Sequence, residues 1–348
     1  MLVGPETTEG TAVSEGKARR PRMADIAREA NVNRITVSRA LSRPELVAKD
    51  TLKRIEAAIA RTGYIPNQVA RGMRSERSSI VSLAAPAQMS GVYGAISERL
   101  AEALHSDGLI VNHFPFTDSL AQREAAVREM AGWCPAVIVV MSGLLTEPMR
   151  AVLRVARTPL VELLSYDPES PGSCVGFDNR AAARQLAEHL LGRGYRRITY
   201  VHSANPLNAL NATRLKGFTD AMEAAPRGAR AGELAVAPGF AEGAALIERL
   251  VTERALPDAL LCASDMVAVG ALEACHRLGI GVPGDVALCA VDGTELTRVI
   301  HPPITSLDFP LARVAEVGAE EIRRLALEPG ALPRRVRVEA RVRPGATT

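Results

Sequence analysis

From Ser79 to about residue 327, short apolar runs alternate with segments of helical periodicity, and this alternation constrains the fold more than any other feature. Short apolar runs bounded by turn signals are typical of buried strands, and longer amphipathic segments are typical of helices. Regular alternation of the two predicts parallel sheets covered by helices. The apolar runs are IVSLAA, LIVNH, AVIVVM, LVELL, RITYVH, ALLCA and VALCAV, and the helical segments lie near residues 93–106, 118–131, 179–192, 211–224, 240–253, 265–278 and 310–327.

The alternation fits two sheets of similar size, one before about residue 176 and one after it. Ligands of open parallel sheets bind beyond the carboxyl ends of the strands. We therefore expect an α/β ligand sensor of two parallel-sheet lobes, in which polar residues that follow strands are the candidate ligand contacts. The final segment, RRVRVEARVRPGATT, is interpreted as a last strand and a short polar stub.

Positive charge is concentrated near the N-terminus. Residues 17–77 hold 15 Lys and Arg against 6 Asp and Glu, whereas the whole chain holds 42 against 39. A compact basic segment on a mildly acidic body is typical of a nucleic-acid-binding module. Apolar residues recur at helical spacing in three segments: 23–30, 34–41 and about Lys49 to Arg61. A short turn separates the first two. This pattern predicts an all-α helix-turn-helix head.

Several function classes are disfavoured by what the sequence lacks. No segment reaches the roughly 18 uninterrupted apolar residues of a membrane span, and no apolar signal-peptide stretch opens the chain, so we expect a cytoplasmic protein. The sequence contains neither a G-x-S-x-G motif, a Walker-type loop nor a metal-ligand cluster. We therefore expect that the protein is not an enzyme and that it binds no cofactor and no metal. The five cysteines are scattered, mostly in apolar runs, and are expected to be reduced core residues.

The basic segment closely resembles the DNA-binding head of the lactose-repressor (LacI/GalR) family. The shared marks are D-I-A, T-V-S-R-A-L and G-Y-I-P-N-x-V-A-R. The sensor matches in the same order, with VGFDN at 175–179, RGYRRI at 193–198, R-x-K-G-F at 214–218, ASDMVAVGAL at 263–272 and VDGTE at 291–295. The wording of PLVELL, VGFDN and RGYRRI is most similar to the branch of the family that senses gluconate and related sugar acids.

The resemblance implies a domain plan and a function. It implies a flexible tail at 1–20, a helix-turn-helix domain at 21–65, a hinge at 66–78 and a two-lobed, periplasmic-binding-protein-like ligand-binding and dimerisation domain at 79–348. Such a chain is a transcription regulator, in most cases a repressor, that binds a pseudo-palindromic operator as a homodimer and is switched by a small sugar or sugar acid. The resemblance leaves open whether two such dimers assemble into a tetramer.

Two alternatives remain at this point. A solute-binding protein shares the two-lobed fold, but it would need an export signal and no DNA head. A regulator of the same family that senses a nucleoside or purine is the second, although an aromatic content of 3% offers little material for stacking a purine ring.

The second helix of a helix-turn-helix unit lies in the major groove, with its first residues at the base edges. Arg34 can bind both acceptors of a guanine, and Ile35 can contact a thymine methyl group. The resemblance makes Arg39, one turn further on, a base or phosphate contact. The alternative for both arginines is a solvated helix charge, and Val37 and Leu41 are interpreted as core. Phosphate contacts are suited to Asn33, Thr36 and Ser38.

Residues 67–74 resemble the family's hinge, a segment that becomes helical on operator DNA and pairs in the minor groove. Asn67 begins this segment. Met73 stands where the family usually has leucine and is the candidate wedge between base pairs. Its alternative is a packing residue at the joint between head and sensor.

Four residues are candidate effector contacts in the sensor. Arg214 stands where the family holds ligand oxygens, and a forked guanidinium suits paired oxygens. Asp292 follows a strand directly and can accept bonds from sugar hydroxyls. Glu162 is a carboxylate within an apolar strand and needs a partner or a ligand. Tyr93 is placed to close the pocket from the other sheet.

Each of the four candidates has a structural alternative. The alternatives are that Arg214 pairs with a core acid, that Asp292 caps the next turn, that Glu162 binds backbone amides and that Tyr93 belongs to the core. Two further acids, Asp178 and Asp265, precede helices and are predicted to cap them.

Overall fold

The structure is a computed structural model that describes residues 19–65, 78–86, 91–141, 143–205, 208–328 and 330–348. The chain divides into two compact units, residues 1–75 and residues 76–348. The first unit, the head, contains helices, and the second, the sensor, contains both sheets.

Three α-helices and a short 3₁₀ turn form the described part of the head. Each α-helix contributes one face to a small core, where Ile26, Val37 and Ile55 are fully buried. Gly63 ends the third helix with a left-handed φ of 64°, a conformation that glycine adopts without steric cost. The elements are α1 (Met23–Glu29), α2 (Arg34–Ser42), the 3₁₀ turn (Pro44–Leu46) and α3 (Lys49–Thr62).

The sensor alternates strands and helices along most of its length. Its elements before residue 177 are β1 (Ile80–Pro86), α4 (Val92–His105), β2 (Ile110–Phe116), α5 (Leu120–Gly132), β3 (Val137–Met141), α6 (Glu147–Ala156), β4 (Leu160–Leu163) and β5 (Ser173–Gly176). Those after it are α7 (Asn179–Gly192), β6 (Arg197–Ser203), α8 (Ala209–Glu223), β7 (Arg230–Val236), α9 (Phe240–Thr252), β8 (Ala259–Cys262), α10 (Asp265–Leu278), β9 (Ala287–Ala290), α11 (Leu296–Val299), β10 (Thr305–Asp308), α12 (Leu311–Leu327), β11 (Arg335–Arg337) and β12 (Arg341–Arg343).

Within the described residues, the strands form two six-stranded sheets. Lobe 1 has the order β2-β1-β3-β4-β5-β11, with every pair parallel. Lobe 2 has the order β7-β6-β8-β9-β10-β12, and only β12 runs antiparallel to its neighbour. The strand β3 is buried at every position, because a central parallel strand is covered by helices on both faces. The predicted fold class is confirmed.

The predicted boundary between the sheets at residue 176 is correct only in part. The chain crosses from lobe 1 to lobe 2 at residues 177–178, returns at 309–310, and crosses again at 338–340. Helix α12 packs on α4, and β11 extends the first sheet by pairing with β5. Phe177 and Phe309, on the first two crossings, stack with ring centroids 3.9 Å apart. The lobes are therefore joined by a buried aromatic contact.

The interpretation of the final segment as one strand and a polar stub is wrong. Its two R-V-R triplets are the strands β11 and β12, and they belong to different sheets. Thr347 is buried, and its hydroxyl donates to the carbonyl of Leu288 at 2.6 Å and accepts from the backbone N–H of Thr305 at 3.0 Å. This polar side chain is buried because its hydroxyl satisfies backbone groups of β9 and β10.

Candidate DNA-binding face and effector cleft

Helix α2 of the head begins at a well-formed N-cap. The side-chain oxygen of Asn33 accepts hydrogen bonds from the backbone N–H groups of Ile35 at 2.6 Å and Thr36 at 3.0 Å. An asparagine in this position satisfies donors that have no partner within the helix. Asn33 therefore fixes where the helix starts, and this sets the direction of the residues that follow.

The two faces of α2 differ in the way a DNA-reading helix requires. Arg34, Ile35 and Arg39 are exposed, and the apolar Ile35 keeps 66% of its surface accessible. Val37 faces the core and is fully buried, and Leu41 packs against the same core. Thr36 and Ser38 are partly exposed.

The acidic side chains of α1 are engaged with arginines outside α2. Asp25 lies 3.5 Å from Arg28 and 3.4 Å from Arg19, and Glu29 lies 3.0 Å from Arg61.

The predicted hinge contacts Asn67 and Met73 lie outside the described residues.

In the sensor, Arg214 and Asp292 come together beyond the carboxyl ends of the lobe 2 strands. Arg214, on α8, is 9% exposed, and its Nε donates to Oδ1 of Asn179 at 2.8 Å. Its Nη1 lies 4.0 Å from Oδ1 of Asp292, which follows β9. Asn179 in turn donates to the carbonyl of Leu164 at 3.2 Å. The guanidinium is thus held on one side by an amide and faces a carboxylate on the other.

Asp292 is presented by a loop that Asp265 holds in place. The backbone N–H and the hydroxyl of Thr294 both donate to Asp265 at 2.7 Å, and the N–H of Gly293 donates at 3.2 Å. The predicted capping role of Asp265 is therefore wrong, since the N-cap of α10 is Ser264. The capping prediction for Asp178 is confirmed, because its carboxylate accepts from the N–H of Ala181 at 2.9 Å.

Burial and the neighbouring carboxylate of Asp265 raise the pKa of Asp292 to about 7, although Arg214 acts in the opposite direction. Burial also raises the pKa of Asp265. The side chain of Asp292 nevertheless remains 31% exposed, so it is reached by solvent from the cleft. A carboxylate with such a pKa is energetically costly in its charged form, which is a frequent property of functional sites.

Tyr93 approaches this pair from lobe 1. It follows Gly91 by two residues, and a Cβ added at Gly91 would lie 3.2 Å from Thr294, in the loop that presents Asp292. Tyr93 is partly buried against the lobe 1 core, and burial raises its pKa. The lobes meet again where Asn205 donates to Asp118 at 2.5 Å. They are also close at Gly143, where an added Cβ would lie 2.8 Å from Leu210. The two lobes therefore lie close together at both of these positions.

Comparisons with known proteins agree with this architecture. A family model for bacterial regulatory proteins of the lacI family matches residues 22–67, and one for a periplasmic binding protein-like domain matches residues 187–348. The chain is 28% identical over 308 residues to the HTH-type transcriptional regulator GntR of Escherichia coli (strain K12), which covers 88% of this chain and 92% of that protein. The chain belongs to the LacI family of DNA-binding transcriptional regulators.

Solved structures of LacI-family proteins have the same fold. A LacI family transcriptional regulator from Silicibacter pomeroyi superimposes with a TM-score of 0.84 at 25% identity, covering 94% of this chain and 99% of that one. The lac repressor dimer bound to operator and the anti-inducer ONPF gives a TM-score of 0.81 at 21% identity, with the same coverage.

The structure pairs Glu162 with residues of lobe 1 and does not bring it to Arg214 and Asp292. Arg150, on α6, donates to both of its carboxylate oxygens, at 2.7 and 2.9 Å, and the hydroxyl of Ser170 donates at 3.1 Å. Glu162 therefore has the partner that the sequence required, and this partner is a side chain of lobe 1. Its expected contact with the effector is corrected accordingly.

Two residues that pack against α8, the helix of Arg214, were not singled out from the sequence. Asn179, the first residue of α7, orients Arg214, and it lies within the VGFDN motif. Tyr200, on β6, is fully buried close to the same charges. No sequence signal separates Tyr200 from a core residue, because RITYVH has the composition of an ordinary buried strand.

Other expectations concern groups elsewhere in the molecule. Cys174, Cys262, Cys275 and Cys289 are buried free thiols, as predicted, whereas Cys134 is exposed. Within the described ranges, no helix is long and apolar enough to cross a membrane, and no group of three His, Cys, Asp or Glu side chains is arranged to hold a metal ion.

Proposed function

We propose that this LacI-family regulator is a repressor that binds a pseudo-palindromic operator as a homodimer and leaves it when a sugar acid binds the sensor cleft. The observation that carries the effector class is the buried Arg214, whose guanidinium faces the cleft between the lobes. Similarity to GntR, a name that indicates gluconate, supports a sugar acid as the effector.

The DNA-binding role is assigned to the exposed face of α2. Arg34 reads a guanine, Ile35 contacts a thymine methyl group, and Arg39 contacts a base or phosphate. Thr36, Ser38 and the NH₂ group of Asn33 contact phosphates and set the register. The proposed head spans residues 21–65 after a tail at 1–20. A hinge at 66–78, with Asn67 and Met73 in the minor groove, leads to the sensor at 79–348.

The effector-binding role is assigned to Arg214, Asp292 and Tyr93. Arg214 binds the acid oxygens of the ligand, and Asp292 binds sugar hydroxyls. Tyr93 contacts the ligand from lobe 1. A ligand held by both lobes biases their relative orientation, and the hinges that continue from lobe 1 transmit that bias to the DNA. We expect no catalytic activity, and we expect the protein to act in the cytoplasm.

Titration of the protein with DNA, with and without D-gluconate, tests this function. We expect gluconate to weaken operator binding, and operator and gluconate to affect each other's affinity by the same factor, as thermodynamic linkage requires. Arg214→Ala should still bind DNA but should not respond to gluconate. Arg184→Ala, which removes an exposed arginine paired with Glu188, is the matched control. A fully responsive Arg214→Ala variant would exclude Arg214 from the site.

The DNA contacts are tested separately from the effector. Arg34→Ala should weaken binding to the operator by about 1–3 kcal/mol and relax one base position, with little effect on random DNA. Equal losses on both DNAs would make Arg34 a backbone contact. Selected sites without inverted symmetry would contradict the dimer.

A further inference from the structure

Tyr200 carries a buried polar group that the proposed contacts do not use. The residue lies on β6 and is fully buried, and among the described residues its hydroxyl has no hydrogen-bond partner. A buried hydroxyl without a partner destabilises the folded protein, because it has given up its bonds to water. Such a group therefore indicates an additional binding partner.

Tyr200 lies beneath α8, the helix that carries Arg214. Asn211, in the first turn of α8, donates to the carbonyl of Ser203 at 2.8 Å, so this end of the helix lies over the carboxyl end of β6. Two turns further on, Phe218 stacks on the ring of Tyr200 with centroids 5.5 Å apart. Arg214 lies between these two contacts on the same helix.

Burial raises the pKa of Tyr200 to about 12, and the groups that act on its phenol include Arg214 and Asp292 beside Cys262 and Glu233. At neutral pH its hydroxyl therefore keeps its proton and is a hydrogen-bond donor. A neutral donor beside a guanidinium is a favourable environment for an oxyanion, since bonds to a charged acceptor are stronger than bonds to a neutral one.

We propose that the Tyr200 hydroxyl donates a hydrogen bond to the effector and, together with Arg214, selects ligands that carry a carboxylate. This inference rests on the proposed function, because it requires an effector in the cleft. It adds a residue from the strand layer to the contacts made by the helices and loops, and it gives the specificity a physical basis. A sugar without an acid group offers only neutral oxygens to the same two donors.

The test is Tyr200→Phe, which removes the hydroxyl and keeps the ring. Ser82→Ala is the matched control, because Ser82 is an equally buried hydroxyl without a described partner, but it lies on β1 in lobe 1. Thermal unfolding without ligand and calorimetric titration with D-gluconate and D-glucose are measured for both variants and the wild type.

Two measurements should move in opposite directions for Tyr200→Phe. Without ligand, the variant should unfold at a higher temperature than the wild type, since an unpaired buried hydroxyl has been removed. Its affinity for gluconate should fall about tenfold or more, as expected for a lost hydrogen bond to a charged group. Ser82→Ala should show the first effect and keep wild-type affinity for gluconate.

An unchanged gluconate affinity in Tyr200→Phe would overturn the proposal and make the hydroxyl a structural feature only. A wild type that binds glucose as tightly as gluconate, or that binds no sugar acid, would overturn it as well. An unchanged gluconate affinity in Tyr200→Phe would leave the proposed function intact, because gluconate would still bind and weaken operator binding. A wild type that binds no sugar acid would contradict the proposed function as well.

Discussion

The two lobes of the sensor each contain a carboxylate that is shielded at least in part from water, and the surroundings of the two carboxylates differ. In lobe 1, Glu162 accepts two hydrogen bonds from Arg150 and one from Ser170. In lobe 2, the nearest cation to Asp292 is 4.0 Å away, and a second carboxylate, Asp265, supports the loop that presents it. Glu162 is satisfied by its own lobe. The hydrogen bond that Asp292 accepts from the backbone N–H of Asp265 is long, at 3.4 Å, and leaves its carboxylate with capacity to bind a ligand.

This difference separates a structural carboxylate from a ligand-binding one. A buried charge with a full set of partners contributes to the fold as long as every partner is present. A charge with a raised pKa and an open side lowers the stability of the ligand-free protein, and a ligand can compensate for it. Removing partners from Glu162 should therefore affect stability, and changes near Asp292 should affect the effector response.

The largest expected effect comes from Arg150→Ala. This substitution leaves Glu162 buried without a cation, and breaking such a pair should lower the free energy of unfolding by about 3 kcal/mol. The control Arg154→Ala breaks the exposed pair with Glu147 and should cost about 1 kcal/mol or less. Chemical denaturation measures both variants. Equal costs would contradict the structural role of Glu162.

The sequence predicts the lobes well and these partners poorly, for a physical reason. The run VIVVM at 137–141 identifies a central strand because burial on both faces demands continuous apolar residues. The edge strand β7, RAGELAV, alternates burial and has no such run. The return of α12 and β11 to lobe 1 depends on pairing between β5 and β11, which are far apart in sequence.

The contacts of the cleft follow from topology in the same way. The family resemblance predicts Arg214 and the position directly after a strand predicts Asp292, and the structure brings the two together. The support of Arg214 by Asn179 joins two helices, and the support of the Asp292 loop by Asp265 joins two strand ends. Neither pairing leaves a local pattern, because each depends on which strands are neighbours in the sheet.

Asp265→Ala tests the loop that distinguishes lobe 2. The loss of one acceptor for three donors should destabilise the protein by about 1–2 kcal/mol, because relief of a buried charge offsets part of the lost bonding. The gluconate response should be lost, since Asp292 is no longer held in position. Asp285→Ala, which removes an exposed acid bonded to the N–H of Gly281 in the same lobe, should keep the response.

The pH dependence of effector binding tests the raised pKa of Asp292. Because a sugar acid is ionised above about pH 5, its negative charge favours the protonated form of Asp292. Above the pKa of about 7, gluconate affinity should therefore fall as pH rises. The limit for one linked proton is about tenfold per pH unit. Asp292→Asn should make the profile flat, and an affinity that rises with pH would show that the ligand requires the charged carboxylate.

The same pKa predicts the stability of the ligand-free protein. The folded-state pKa of Asp292 lies above its ordinary value of 3.8, so the folded state binds more protons than the unfolded state between those values. Stability should then fall as pH rises from about 4 to about 7. Asp292→Asn cannot ionise, and its advantage over the wild type should grow through this window and remain constant above it.

The smallest expected effect is that of Ser170→Ala. Ser170 supplies one hydrogen bond of 3.1 Å to Glu162. When the Ser170 hydroxyl is removed, Arg150 still donates to both carboxylate oxygens of Glu162. The hydroxyl also accepts a longer hydrogen bond, at 3.3 Å, from the backbone N–H of Gly172. The loss should be at least about 1 kcal/mol, the usual net contribution of one hydrogen bond. Chemical denaturation of Ser170→Ala, Arg150→Ala and the double variant forms a cycle in which the coupling between the two partners can be measured. If Ser170→Ala costs as much as Arg150→Ala, the guanidinium is not the main partner of Glu162, and the contrast between the two lobes loses its basis. A small cost with an unchanged gluconate response would sharpen that contrast, because it would show a carboxylate whose partners act on stability alone.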